Sequence, residues 1–271
     1  MYQLRSRWLR IAFLSILISN LVMLVSCTKK DNEIKDPNEL PIENSILDKY
    51  SDYEIISKAM QKNYERDNYL ITTEGVTDAK FGFISYTQKT TTSLYFMQDK
   101  FYNDISSTSS IVNHYHRLML TSNDVKYYDS DNDNITTTTL DEYKNIYGKV
   151  PSHTTFFNYN IDESTIISSK RNFTNKRFEI TYNLEPEKAM GDMAKQMMMF
   201  GGLSEEPKFK SITLTIRVDE DLNILSFKNV EVYTIVKDIP VIGTSKLNCV
   251  QTLNSKVYYN DYSEPDLNEF E

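Results

Sequence analysis

Residues 177–224 read RFEITYNLEPEKAMGDMAKQMMMFGGLSEEPKFKSITLTIRVDEDLNI, and three patterns succeed one another in them. Phe178, Ile180, Tyr182 and Leu184 alternate with Arg177, Glu179, Thr181 and Asn183, the period of a strand with one wet face. Pro186 then opens a helix that Gly201-Gly202 closes. Along it Met190, Met193 and Met197 fall on one face with Ala194 and Phe200, and Met198 and Met199 widen the apolar arc. Phe209–Val218 is extended again and turns at Asp219–Asn223 into a further strand. Strands joined to their sequential neighbours, with a helix laid between, predict a mainly-β α+β domain built as an antiparallel meander.

The same logic extends in both directions. Ser51-Asp52-Tyr53-Glu54 is a capping box, and Tyr53, Ile56, Ala59, Met60 and Tyr64 recur at helical spacing, so a helix spans about 52–66. Strand patterns follow at Tyr69–Thr73, Phe81–Ser85, TTSLYFMQ (residues 91–98), Ile111–Leu120 and Val125–Tyr128. The polar knot Asp129–Asn134 is a turn, after which ITTTT resumes extended structure. Thr139 with Glu142 opens a short helix over Leu140–Tyr147, stopped by Gly148 and Pro151. Phe156, Phe157, Tyr159 and Ile161 form an aromatic crossing segment. Long strands over 224–236 and 244–259 close the domain, and the acidic tail after Tyr259 is expected to fray.

Composition narrows the function classes. The chain has 271 residues, 40% hydrophobic and 25% charged, with 7 Gly and 7 Pro, the profile of an ordinary globular protein. Its net charge of −8 argues against nucleic acid as a partner, because phosphate binding needs a basic face. Two cysteines are too few for a disulfide framework.

The N-terminus is an address. Arg5, Arg7 and Arg10 precede the apolar stretch Ile11–Val25, broken only by Ser15, Ser19 and Asn20 and too short for a comfortable membrane span. It ends in Leu24-Val25-Ser26-Cys27, which resembles the bacterial lipoprotein signal, the lipobox. That resemblance implies cleavage before Cys27, a diacylglycerol on its thiol, and lasting anchorage by two or more acyl chains. The expected division is therefore a signal peptide over 1–26, a lipidated Cys27 and flexible tether over 27–44, a single domain over 45–260 and an acidic tail over 261–271. Cleavage also removes Trp8, the single tryptophan. Cys249 remains as a lone thiol in an extracytoplasmic protein, read as a small buried apolar residue.

Catalytic motifs are wanting. Asp129–Asn134 has the first alternating ligands of an EF-hand loop but carries Asn134 where glycine belongs and Leu140 where a bidentate glutamate belongs. His114 and His116 share a strand face, with His153 as the third histidine, but no metalloenzyme spacing surrounds them. GxSxG, Walker and GxGxxG patterns are absent from the sequence. The expectation is a non-enzyme with no cofactor and no bound metal.

Signal, charged tether, N-terminal helix (SDYEIISKAMQKN), TTLDEYKNIYGKVP and the 182–224 segment together resemble the LolA/LppX-like lipoproteins over about residues 45–260. The resemblance implies an unclosed, strongly curved antiparallel half-barrel whose concave face is covered by helices, with an apolar cavity between the two layers. The leading expectation is a monomeric, membrane-tethered protein of the cell envelope that binds a lipid or other apolar ligand. Met190, Met193, Met197 and Phe200 would line the cavity from a pliable helical lid, with Ile56 and Met60 from the first helix. Phe83, Phe178, Ile180 and Tyr182 would line it from the sheet. Two rivals stand beside it. The methionines are core filler in one, and the protein binds another envelope protein through its acidic, Tyr-rich surface; in the other His114, His116 and His153 hold a catalytic metal.

Overall fold

A computed structural model describes residues 45–98, 100–109, 113–122, 124–130, 134–147, 157, 159–191, 194–195, 197–198, 203–239 and 243–270. The lipobox, Cys27, the tether, Asp131–Asp133, His153, Met193 and Phe200 lie outside these residues. All the described residues belong to one compact unit, Ile42–Glu271.

Chain order is α1 (Asp52–Tyr64), β1 (Tyr69–Phe81), β2 (Ile84–Met97), β3 (Lys100–Ser109), β4 (Asn113–Leu120), β5 (Asp124–Asp129), β6 (Asn134–Thr139), α2 (Leu140–Tyr147), β7 (Ile166–Thr174), β8 (Arg177–Leu184), α3 (Pro186–Met190), β9 (Lys208–Asp219), β10 (Ile224–Ile239) and β11 (Gly243–Tyr258). Among the described residues the eleven strands form one open, curved antiparallel sheet in the order β6-β5-β4-β3-β2-β1-β11-β10-β9-β8-β7. Two meanders run outward and back, and they join where β1 pairs with β11. This is the mainly-β α+β architecture expected from the sequence. No helix among the described residues is long and apolar enough to cross a membrane.

Local chemistry sets the element ends. Ser51 Oγ accepts from the Glu54 amide at 3.2 Å while Glu54 Oε2 accepts from the Ser51 amide at 2.7 Å, so both arms of the predicted capping box form. Thr139 and Glu142 repeat the exchange at the start of α2. Alternation then assigns the sheet faces. Phe178, Ile180, Tyr182 and Leu184 are buried on the inner face, as are Ile212, Leu214, Ile216 and Val218 of β9. The outer face carries polar pairs such as Arg217–Glu179 at 2.6 Å and Thr181–Thr215 at 3.0 Å. Gly75 sits on the inner face, where an added Cβ would lie 2.6 Å from Leu253 Cδ2.

α1, α2 and α3 all pack on the inner face. Ile55, Ile56 and Ala59 of α1, Tyr143 of α2, and Ala189 and Met190 of α3 share one apolar core with β1, β8 and β9. α1 is pinned at both ends. Arg171 Nε donates to Asp52 Oδ1 at 2.6 Å and its Nη2 to the Tyr50 carbonyl at 2.6 Å, while Arg66 reaches Asn223 and lies 3.9 Å over the Tyr259 ring.

Two expectations change. The helix drawn over 187–200 is interrupted at Gly191, whose φ is +45°, and beyond it the described residues Ala194, Lys195, Met197 and Met198 are helical again. The Asn160 amide donates to the Ala189 carbonyl at 2.9 Å, occupying an acceptor that the next helical turn needs. Glycine also lowers the cost of leaving the helix there. The acidic tail, in turn, is docked at its end. Phe270 is 2% exposed against Tyr102 and Met119 on the outer face of β3 and β4, and Lys126 Nζ donates to its carbonyl. One aromatic ring over an apolar strip outweighs the fraying tendency of the charged residues before it.

Candidate functional site

The ten expected lining residues do not form one set. Ile56, Phe178, Ile180, Tyr182 and Met190 are brought together, but as mutually packed members of the main core, with Met60 against its edge. Phe83 does not join them. It sits in the β1–β2 turn beside Gly82, whose φ of +57° permits the reversal, and it is 97% exposed. The strand expected over Phe81–Ser85 is instead a hairpin: β1 ends at Phe81, β2 begins at Ile84, and the ring in the turn between them lies beyond the sheet. Met197 is described and half-buried; Met193 and Phe200 are not described.

A second apolar group lies further along the same inner face. Ala79 of β1, Tyr233 and Ile235 of β10, and Leu247 and Cys249 of β11 are buried together, with Phe81, Tyr86, Met197, Leu203 and Phe209 packed around them. No residue of α1 belongs to this group. Phe209 reaches it because the β9–β10 register slips between Val232 and Tyr233, and the two rings stand 5.0 Å apart. Met197 touches both groups, so the segment after α3 bridges them.

A band that carries the buried polar residues Thr77, Asn229, Glu231 and Ser255 separates the groups. Across the strands run Thr77, Gln251 and Glu231 in one register, and Gly75, Leu253 and Asn229 in the next. Thr73 and Ser255 share a hydroxyl hydrogen bond at 2.8 Å below them. Glu231 is 4% exposed, and the Tyr159 hydroxyl, from the crossing segment, donates to its Oε1. Asn229 is hydrogen-bonded to the same hydroxyl. Burial raises the Glu231 carboxyl above its ordinary value, and the Tyr159 bond opposes that rise. Sequence reasoning missed Glu231. Its signal was an acid on the apolar side of an alternating strand, at a position flanked by Asn229 and Tyr233.

The lone cysteine is 1% exposed, and burial pushes its thiol up to about 11, so it is held as an inert apolar group. His116 is buried near Tyr127, with ring centroids 6.2 Å apart, and His114 is half-buried. Among the described residues no three His, Cys, Asp or Glu side chains approach as a metal site. Two open hollows are described. One of about 270 Å³ lies between β2 and β3 beside Thr87, Lys89, Thr108 and Ser109. The other, of about 220 Å³, lies where the first turn of α1 meets β7 and β8.

No protein-family model matches the chain, and no curated protein does. Solved structures similar to it include LprF from Mycobacterium bovis, at 6% identity and TM-score 0.36 over 79% of this chain and 95% of that one. A DUF1329 family protein from Desulfovibrio piger aligns at 11% identity and TM-score 0.33, covering 79% and 94%. A LolA superfamily protein from Nitrosomonas europaea aligns at 6% identity and TM-score 0.29, covering 78% and 94%. The last of these carries the name of the family that the sequence resembles. At such scores they carry nothing about ligand or activity, and the sheet topology itself defines the fold.

Proposed function

We propose that the chain is an exported lipoprotein, held to a membrane through Cys27, that binds an acyl chain or similar apolar ligand without catalysing a reaction. The ligand lies on the inner sheet face at the β1/β10/β11 end, against Tyr233, Ile235 and Leu247, beneath the segment carrying Met197. The supporting observation is the division of the inner face. One apolar group is filled by α1, and the other is separated from it by the Glu231 row and met by half-buried Met197, Leu203 and Phe209. Methionine suits such a cover because its unbranched thioether repacks around differing apolar shapes. The Glu231–Tyr159–Asn229 row gives the trough a polar end at which an acyl chain stops.

Because the mature chain would contain no tryptophan, an introduced one reports on its own surroundings. Phe209→Trp should be quenched saturably by a brominated fatty acid, whereas Tyr127→Trp, at the edge of the main core, should not. Equal quenching at both positions, or none at either, contradicts this placement.

A further inference from the structure

The hollow of about 220 Å³ at the α1 N-terminus is lined by Ser51, Asp52, Tyr53, Glu163, Ile166, Ser169 and Tyr182. Its unusual wall is Tyr182. That side chain, on β8, is fully buried, yet among the described residues its hydroxyl has no hydrogen-bond partner. A buried unpaired hydroxyl has lost its hydration with nothing to replace it, and a phenylalanine at this position would pack without that cost. The surrounding groups select the kind of ligand that would satisfy it. Asp52 and Glu163 bring carboxylates to the hollow, and the neighbouring Arg171 guanidinium is already engaged by Asp52, by Asp48 at 3.9 Å and by the Tyr50 carbonyl. An anion would meet two carboxylates and find that guanidinium occupied. A cation finds the two carboxylates.

We propose that this hollow binds a primary ammonium group, which donates one N–H to the Tyr182 hydroxyl and another to the Glu163 carboxylate. The group belongs to a small amine, free or carried on a lipid headgroup. A quaternary ammonium has no N–H to give, so it leaves the hydroxyl unpaired. The site is separate from the apolar trough at the β1/β10/β11 end and does not depend on it.

The test uses the intact protein, with ethanolamine and choline titrated calorimetrically. A ligand of four heavy atoms in a half-open hollow binds at about the millimolar level. Ethanolamine should bind and choline should not. Tyr182→Phe should weaken ethanolamine about tenfold, the loss of a charge-assisted hydrogen bond, while leaving the unfolding midpoint unchanged or higher. Glu163→Gln, at an exposed position, should weaken it about threefold. Competition by vesicles containing phosphatidylethanolamine, but not by phosphatidylcholine vesicles, would assign the amine to a headgroup; ethanolamine binding without competition would assign it to free amines. The proposal is overturned by absence of ethanolamine binding, by choline binding equally well, or by a Tyr182→Phe variant that loses stability, since the hydroxyl would then already have a partner.

Discussion

The Tyr159 hydroxyl donates to the Glu231 carboxyl across 72 positions of sequence, and both side chains are buried. One is on an irregular crossing segment and the other on the inner face of β10. The bond fixes that segment over the sheet and sets the boundary between the two apolar groups.

Glu231 should make stability depend on pH. Its carboxyl titrates above the ordinary value in the folded protein because burial penalises the charge. The folded state therefore holds the proton more tightly than the unfolded chain. Below the unfolded value, about 4.3, both states are protonated and there is no penalty. As pH rises from there to the folded value, the unfolded chain ionises first and stability falls, then levels off. Glu231→Gln keeps an acceptor for Tyr159 and should remove this fall. Denaturant midpoints from pH 4 to pH 8 should converge on a flatter profile in the variant.

Arg171 couples α1 to β7 through planar donors on both Asp52 and the Tyr50 carbonyl. Removing it should cost about 2 kcal/mol, and Arg171→Lys should recover little, because an ammonium cannot reproduce the fork. Urea unfolding would give the loss. Hydrogen exchange should show it concentrated in α1 rather than in β9–β11.

Much of this architecture is legible in sequence, and the failures have identifiable causes. Strict alternation at Phe178–Leu184 marked β8 and its inner face, and the two Ser/Thr–Glu capping boxes marked the starts of α1 and α2. β3 and β7 left weaker marks, since KFYNDISSTS and IISSKRNFT mix polar residues into both faces. The methionine stripe ran past Gly191 without a visible stop, because the competing bond comes from Asn160, thirty-one residues upstream of that glycine. At the candidate site the second apolar group draws on β1, β10 and β11, and β1 reaches the other two only through its long-range pairing with β11; no local window could bring Ala79 to Tyr233 and Leu247.

The C-terminal ring is structural. Phe270→Ala should expose Tyr102 and Met119 and cost about 3 kcal/mol, with increased exchange in β3 and β4. A variant ending at residue 264 should show the same loss, because the ring rather than the charged residues holds the segment. Calorimetric unfolding would measure both.

Cys249 should resist alkylation in the folded protein. With its thiol pushed up to about 11 by burial, little thiolate is present near neutrality and the sulfur is shielded. Labelling with iodoacetamide at pH 8 should be slow when folded and fast in urea. An apolar ligand against Leu247 and Tyr233 should slow the folded reaction further.

The most direct measurement is native mass spectrometry of the protein extracted from its host's membranes. We expect a mass set by the covalent lipid on Cys27 plus a further acyl-bearing ligand that leaves on gentle collisional activation. A spectrum with the covalent lipid alone, from a protein that also takes up no added oleate, would contradict ligand binding on the inner face.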